Sequence, residues 1–231
     1  MTQHAQHATT GHRRVRRAAG VVAVAVVLTL VVGVGFLFVS PAARSAAAST
    51  TKPTVATAPF PTPSGVTLAE TPPPWPLPAD AKPYIAAAGL AALSQEQLEV
   101  HYHAHLDIIA NGKKATVPAG IGFVIENRRA TGLTVLHTHD PSGIVHIESA
   151  SDEVFTLGQL FTEWGVALDT DQVGGLTVDG THVLRAYVNG RRLKGNPATI
   201  RLEPHLEIAL WYGPPGTHPK VPKSFPFPEG L

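Results

Sequence analysis

Apolar residues follow three different rhythms along this chain. From Ala18 to Val39 they form a run that no charge interrupts. From Val100 to Ala110 they alternate, with Val100, Tyr102, Ala104, Leu106 and Ile108 on one side and His101, His103, His105 and Asp107 on the other. From Thr156 to Trp164 they return at helical spacing, as Leu157, Leu160, Phe161 and Trp164. A period of two places alternate residues on opposite faces of a strand, whereas a period near 3.6 gathers them into one stripe of a helix. An uncharged run of about 20 residues is long enough to cross a bilayer as a helix.

Turn chemistry divides the middle of the chain into hairpins. Asn111-Gly112 follows the alternating strand and is a strong hairpin signal, with Lys113 to Pro118 returning. Leu133 to His139 and Ile144 to Glu148 flank Asp140-Pro141-Ser142-Gly143, whose residues suit a type I turn. His182 to Val188 and Arg191 to Lys194 flank a second Asn-Gly pair, Asn189-Gly190. Gly165 stands where the helix from Thr156 would be capped. Ile200 to Leu202 and Leu206 to Tyr212 supply one or two closing strands. Ser94 to Glu99 reads as a helical turn, with Ser94 and Gln97 spaced as a capping box. The order predicts an α+β domain, a mainly antiparallel β-sheet of hairpins with one packed helix, β-grasp-like, with a small barrel or sandwich as the competing architecture.

The resulting organisation has five parts. Residues 1–17 are a basic N-terminus, and 18–39 a transmembrane signal-anchor whose partner is the lipid bilayer. Residues 40–83 are a linker rich in Pro, Ala, Thr and Ser, of a composition that cannot bury enough apolar surface to offset its ordering entropy. Residues 84–212 are the histidine-rich domain, and 213–231 a proline-rich tail. Arg13, Arg14, Arg16 and Arg17 precede the apolar run, so the positive-inside rule places the N-terminus in the cytoplasm and the domain outside it. A cleaved secretory signal is the alternative, although its apolar core is typically about 7–15 residues. Both readings export the domain.

Net charge is +1, with the basic excess at the N-terminus and a mildly acidic remainder, so the chain lacks a nucleic-acid footprint. The chain has no cysteine, which excludes disulfides, zinc-thiolate sites, iron–sulfur clusters and cysteine nucleophiles. Its one methionine is Met1, which excludes thioether ligation within the domain.

What remains is histidine. His101, His103 and His105 lie on one strand, His137 and His139 on another, and His146 on the strand after it. If Asp140 pairs with Gly143, His137 lies opposite His146, and opposed residues share a face with Cβ atoms about 4.5–5.5 Å apart. Imidazole is the commonest protein ligand for transition metals, so these six residues are the candidate metal ligands. Imidazole with optional carboxylate suits Zn or Cu(II). Glu148 lies one step along from His146, and Asp107 can orient an imidazole through its other nitrogen. His205 is open between ligand and structural residue, His182 reads as structural, and His218 as solvated. His4, His7 and His12 fall on the far side of the anchor.

The stretches His101 to Gly112, Val117 to Gly122, Leu136 to Ser149, Phe155 to Phe161 and Trp164-Gly165 resemble a histidine-rich extracytoplasmic domain family of membrane-anchored proteins in bacteria and archaea. The resemblance covers most of Val100 to Tyr212. It implies a domain boundary and no activity, since that family is uncharacterised. Its members often carry a cysteine pair after the helix, and Asp169 to Gly175 has none here. Three functions follow for testing: a tethered domain that binds a divalent metal for capture, buffering or sensing; a zinc hydrolase or lyase with Glu148 or Asp140 as acid/base; and a pH-responsive interaction module without metal.

Overall fold

The computed structural model describes residues 60–231. The apolar run 18–39, the basic N-terminus and the linker as far as residue 59 lie outside the described residues. Among the described residues, no helix is long and apolar enough to cross a membrane.

In chain order the elements are α1 (Lys82–Ala87), β1 (Val100–Ala110), β2 (Lys113–Ala115), β3 (Phe123–Glu126), β4 (Arg129–Leu133), β5 (Leu136–His137), β6 (Ile144–Ser149), α2 (Leu157–Trp164), β7 (Gln172–Val173), β8 (Leu176–Thr177), β9 (Val183–Val188), β10 (Arg191–Arg192), a 3-10 turn (Pro197–Thr199) and β11 (Glu207–Gly213). The main sheet runs β10-β9-β11-β1-β6-β5, with β2 also paired to β1. The fold is α+β and mostly sheet. The expected hairpins are antiparallel, but β1 and β11 pair in parallel at the sheet centre, His105 opposite Glu207 through Ala110 opposite Tyr212. This pairing joins distant segments, and turn residues carry no signal for it.

Local chemistry explains the elements. Asn111 and Gly112 both take positive φ, as do Asn189 and Gly190, which suits two-residue hairpin turns to the twist of their strands. Thr156 caps α2 from extended backbone. Its hydroxyl accepts from Gln159 N, the Gln159 side chain accepts from Thr156 N, and Gly165 closes the helix at φ 77°. Leu157, Leu160, Phe161 and Trp164 of α2 are at most 1% exposed and share one core with Leu106, Ile108, Ile147, Ile208 and Leu210 of the sheet. Each such side chain contributes about 1.5–3 kcal/mol on burial.

Three expectations change, and one hairpin is additional. Ser94 to Glu99 forms no helix: Leu93 bridges to Leu133, and the Gln97 amide bonds to Gln95 O and Glu96 O, so the capping box does not form. The strand expected from Leu133 to His139 is only Leu136–His137, because Leu133 belongs to β4. Ile200 to Leu202 forms isolated bridging rather than a strand, with Arg201 bridged to Thr156, while Ile200 and Leu202 fill the core. The β3–β4 hairpin turns on Asn127-Arg128, both at positive φ, where arginine is no turn signal.

The packed body also begins earlier than residue 84. Ala69 bridges to Val166, and Trp75 is 2% exposed. Trp75 packs edge-on against Trp164 with ring centroids 5.7 Å apart, and Trp164 Nε1 donates to Trp75 O. The proline-rich segment therefore adds an anchor residue to the core from its described part. At the other end, the tail crosses the sheet face opposite α2. Arg185 lies over Trp211 and donates to Thr217 O and Pro215 O, Val221 packs against the Tyr187–Trp211 cluster, and Phe225 stacks on His105.

Trp75→Ala should therefore destabilise the protein by about 3–5 kcal/mol in denaturant unfolding, the cost of emptying a core aromatic site. A loss below about 1 kcal/mol would show that the 60–83 segment does not contribute to the core.

Candidate metal centre

Burial of α2 against one sheet face sends the alternate residues to the other. Ala104, Leu106, Val145, Ile147 and Leu136 face the core, so His101, His103 and His105 of β1, His146 and Glu148 of β6, and His137 of β5 share the opposite face. β6 lies between β1 and β5. The register sets His103 opposite His146 and His146 opposite His137, a row of three histidines across three strands. His101 is opposite Glu148. The expected pairing of His137 with His146 is the one observed.

The ring nitrogens converge. His101 Nε2 is 3.1 Å from His103 Nε2, and His103 Nε2 is 3.0 Å from His146 Nδ1. His137 Nε2 is 3.1 Å from His139 Nε2. Glu148 Oε1 lies 3.4 Å from His101 Nε2, 3.4 Å from His146 Nδ1 and 3.8 Å from His137 Nε2. Ligands 2.0–2.1 Å from a tetrahedral ion are roughly 3.3–3.4 Å from one another, and the observed separations bracket that edge. Two donor sets result, each with all ligand atoms within 4.8 Å: His137, His139, His146 and Glu148, and His101, His103 and His146.

The surroundings orient these groups. Thr134 O can only accept, so His137 Nδ1 carries the proton of their 2.9 Å bond and Nε2 presents its lone pair to the cluster. Phe123 stands edge-on to His137 and His139, at 5.5 and 5.6 Å between centroids, and walls the β5 side. The base of the patch is closed by His137, His103 and Glu148, all buried, while the His101 and His139 side chains are 36% and 44% exposed. An ion would enter past these two rim residues.

Burial tunes the titration toward ligation. Burial first, with the neighbouring histidines acting in the same direction, lowers His103 and His137 to about 4 and His146 to about 3, against a raising bond to Thr134 O on His137. All three are neutral at pH 7, the form a metal requires. Burial, then the charge of Glu96, pushes Glu148 up to about 7. Its Oε2 is buried with no hydrogen-bond partner among the described residues.

His105 stands apart from the other five. Its Nε2 meets Ser142 O at 2.9 Å and its Nδ1 meets Glu207 Oε2 at 2.7 Å, so both ring nitrogens are engaged. It groups instead with Asp107 and Glu207 beneath Phe225. Asp107 pairs with Lys114 at 2.8 Å and orients no imidazole; Glu207 takes that place. Asp140 Oδ1 accepts from Ser142 N and holds the turn, and bonding to the Ser142 side chain and then to its backbone lowers the carboxyl below the ordinary value. His182 stacks on Tyr212, His205 lies against Phe227 and Leu231 O, and neither joins a donor set. Glu148 had a sequence signal, its two-residue step from His146. Glu96, 3.8 Å from His139 Nε2, had none.

No family model, curated protein or solved structure matches this chain.

A second buried carboxyl supports the base of the cluster from the helix side. The Thr134 hydroxyl lies 2.5 Å from Leu136 O and 2.8 Å from Glu163 Oε2 but has one proton to give. If it goes to the carbonyl, a neutral Glu163 completes the chain by donating to Thr134. Burial accordingly holds Glu163 well above its ordinary value of 4.5. A raised folded-state pKa contributes stability that is complete below the unfolded value and lost as pH rises. Glu163→Gln, which cannot ionise, should match the parent near pH 4. Its advantage should grow above pH 4.5 by up to about 1.4 kcal/mol per pH unit, until the folded-state carboxyl itself ionises. Unfolding curves at pH 4 and pH 8 check this, and a variant less stable than the parent at pH 8 contradicts it.

Proposed function

We propose that this chain binds a transition metal, Zn or Cu(II), on the histidine face of its sheet, and that it captures, buffers or senses the ion outside the cytoplasm. The observation that carries this reading is the convergence of five imidazoles and one carboxylate on a single patch, with His103, His137 and His146 neutral at pH 7. The donor chemistry fits a borderline ion, since every donor is nitrogen or carboxylate oxygen and none is sulfur. A hydrolase or lyase would pair an open coordination position with a separate base. Here Glu148, the carboxylate in reach of both histidine pairs, lies among the ligands, and Asp140 is committed to its turn.

The sheet order supports a β-grasp-like reading, in which two hairpins flank one helix and the first and last long strands are parallel neighbours. The reading also includes the anchor at 18–39, export of the domain and membership of the histidine-rich envelope family, all expected from the sequence.

The test is equilibrium dialysis of the metal-stripped full chain against Zn or Cu(II). The reading expects a Kd of about 1 µM or tighter at neutral pH, and no binding at that level would end it. The pH dependence follows from the site. An ion must displace the proton that Glu148 holds below about 7, so affinity should fall by at least about tenfold per pH unit below that value. The slope should steepen toward pH 4, where the buried histidines charge. Glu148→Gln should reduce the slope by one proton, and an unchanged slope would remove Glu148 from the ligand set.

A further inference from the structure

We infer that the patch holds two metal ions, one on each side of β6, with Glu148 bridging them and His146 between them. The inference rests on the proposed metal-binding reading and adds its stoichiometry and architecture.

Sheet geometry carries the argument. β6 lies between β1 and β5, and each flanking strand brings a His-x-His pair to the shared face, His101 and His103 from one and His137 and His139 from the other. Neighbouring strands are about 4.8 Å apart, so the two flanking strands are roughly 10 Å apart at the backbone. Side chains lean inward across that gap, yet the donor atoms still resolve into two sets that meet only at β6. Ligands on one ion with bonds of 2.0–2.1 Å lie at most about 4.2 Å from one another. The two His-x-His pairs do not fall together within even 4.8 Å, so one ion cannot take both as they stand.

Glu148 reaches both. Its Oε1 is 3.4 Å from His101 Nε2 on one side and 3.8 Å from His137 Nε2 on the other, while its buried Oε2 has no partner among the described residues. The one oxygen Oε1 faces both sides, so the carboxylate bridges through that atom, and Glu148 completes the donor set only on the His137 side. The His146 ring stacks on His137 at 5.3 Å and meets His103 edge-on at 4.4 Å, so it stands between the two sets. Metals held this way sit about 3.5–4 Å apart, as in other two-metal sites.

The rim residues make a fold-safe test, because His101 and His139 are partly exposed and belong to different sets. The metal-stripped full chain is titrated with Cu(II) alone, with bound copper counted by elemental analysis and spins by electron paramagnetic resonance. Two ions per chain are expected, with spin intensity falling below two per chain as the second binds, because neighbouring ions couple. His101→Ala should weaken one binding step tenfold or more and leave the other, and His139→Ala should do the reverse. Glu148→Gln should restore uncoupled signals. Saturation at one ion, with both rim variants weakening that same step, would overturn the two-ion site and leave metal binding intact. Two ions with uncoupled spins would overturn the bridge. No bound copper would overturn the metal-binding reading itself.

Discussion

Packing of α2 against one face of the sheet is the constraint on which the rest of this structure depends. Leu157, Leu160, Phe161 and Trp164 must be covered, and Leu106, Ile108, Ile147 and Ile208 cover them. Once these even-numbered positions of β1 face the helix, pleating leaves His101, His103 and His105 nowhere but the opposite face. A slip of one residue would put His105 in the core in place of Leu106, so hydrophobic burial holds the register of the whole histidine face. The parallel pairing of β1 with β11 and the antiparallel pairing with β6 then carry that alignment across the sheet.

The opposite face is divided between two uses. Over β9 and β11 the C-terminal tail lies down through Arg185, Val221 and Phe225 and builds a small second core with Tyr187 and Trp211. Over β1, β6 and β5 the face stays polar, walled by Phe123, and open at His101 and His139. That second region is expensive to build. His137 is fully buried, and Glu148 has been taken out of water with one oxygen unpartnered among the described residues. Unmatched buried polar groups cost free energy, and the apolar core on the far side of the sheet offsets it. A face arranged this way costs stability that the fold does not need, which is the usual mark of a functional site.

Sequence patterns expose much of this architecture, and physics explains the remainder. The Asn-Gly turns, the capped α2 and the alternation of β1 are local signals, and all three elements form. The loop from Asp140 to Gly143 was enough to place His137 opposite His146, because hairpin register follows loop length. The parallel β1–β11 pair had no local signal, since it joins segments about 100 residues apart with no turn to mark it, and only the β-grasp-like order of elements pointed to it. Trp75 was hidden by its neighbours, because one core aromatic within a proline-rich stretch leaves the average composition linker-like. His105 shares the strand, face and spacing of His103, and the contacts that separate it from the other histidines, Glu207 brought in by β11 and Ser142 O, come from other segments. Glu96 enters the site from an irregular segment with no period to read, and Phe123 from the first position of β3, a four-residue strand too short to show one.

X-ray absorption at the metal edge of the zinc- or copper-loaded full chain tests the central claim most directly, because it reads the ligands themselves. The account predicts a shell of nitrogen and oxygen at about 2.0–2.1 Å, with the outer-shell scattering of several imidazole rings and no sulfur. A shell of oxygen alone, without imidazole scattering, would mean that bound metal sits elsewhere and that the histidine face is not the site.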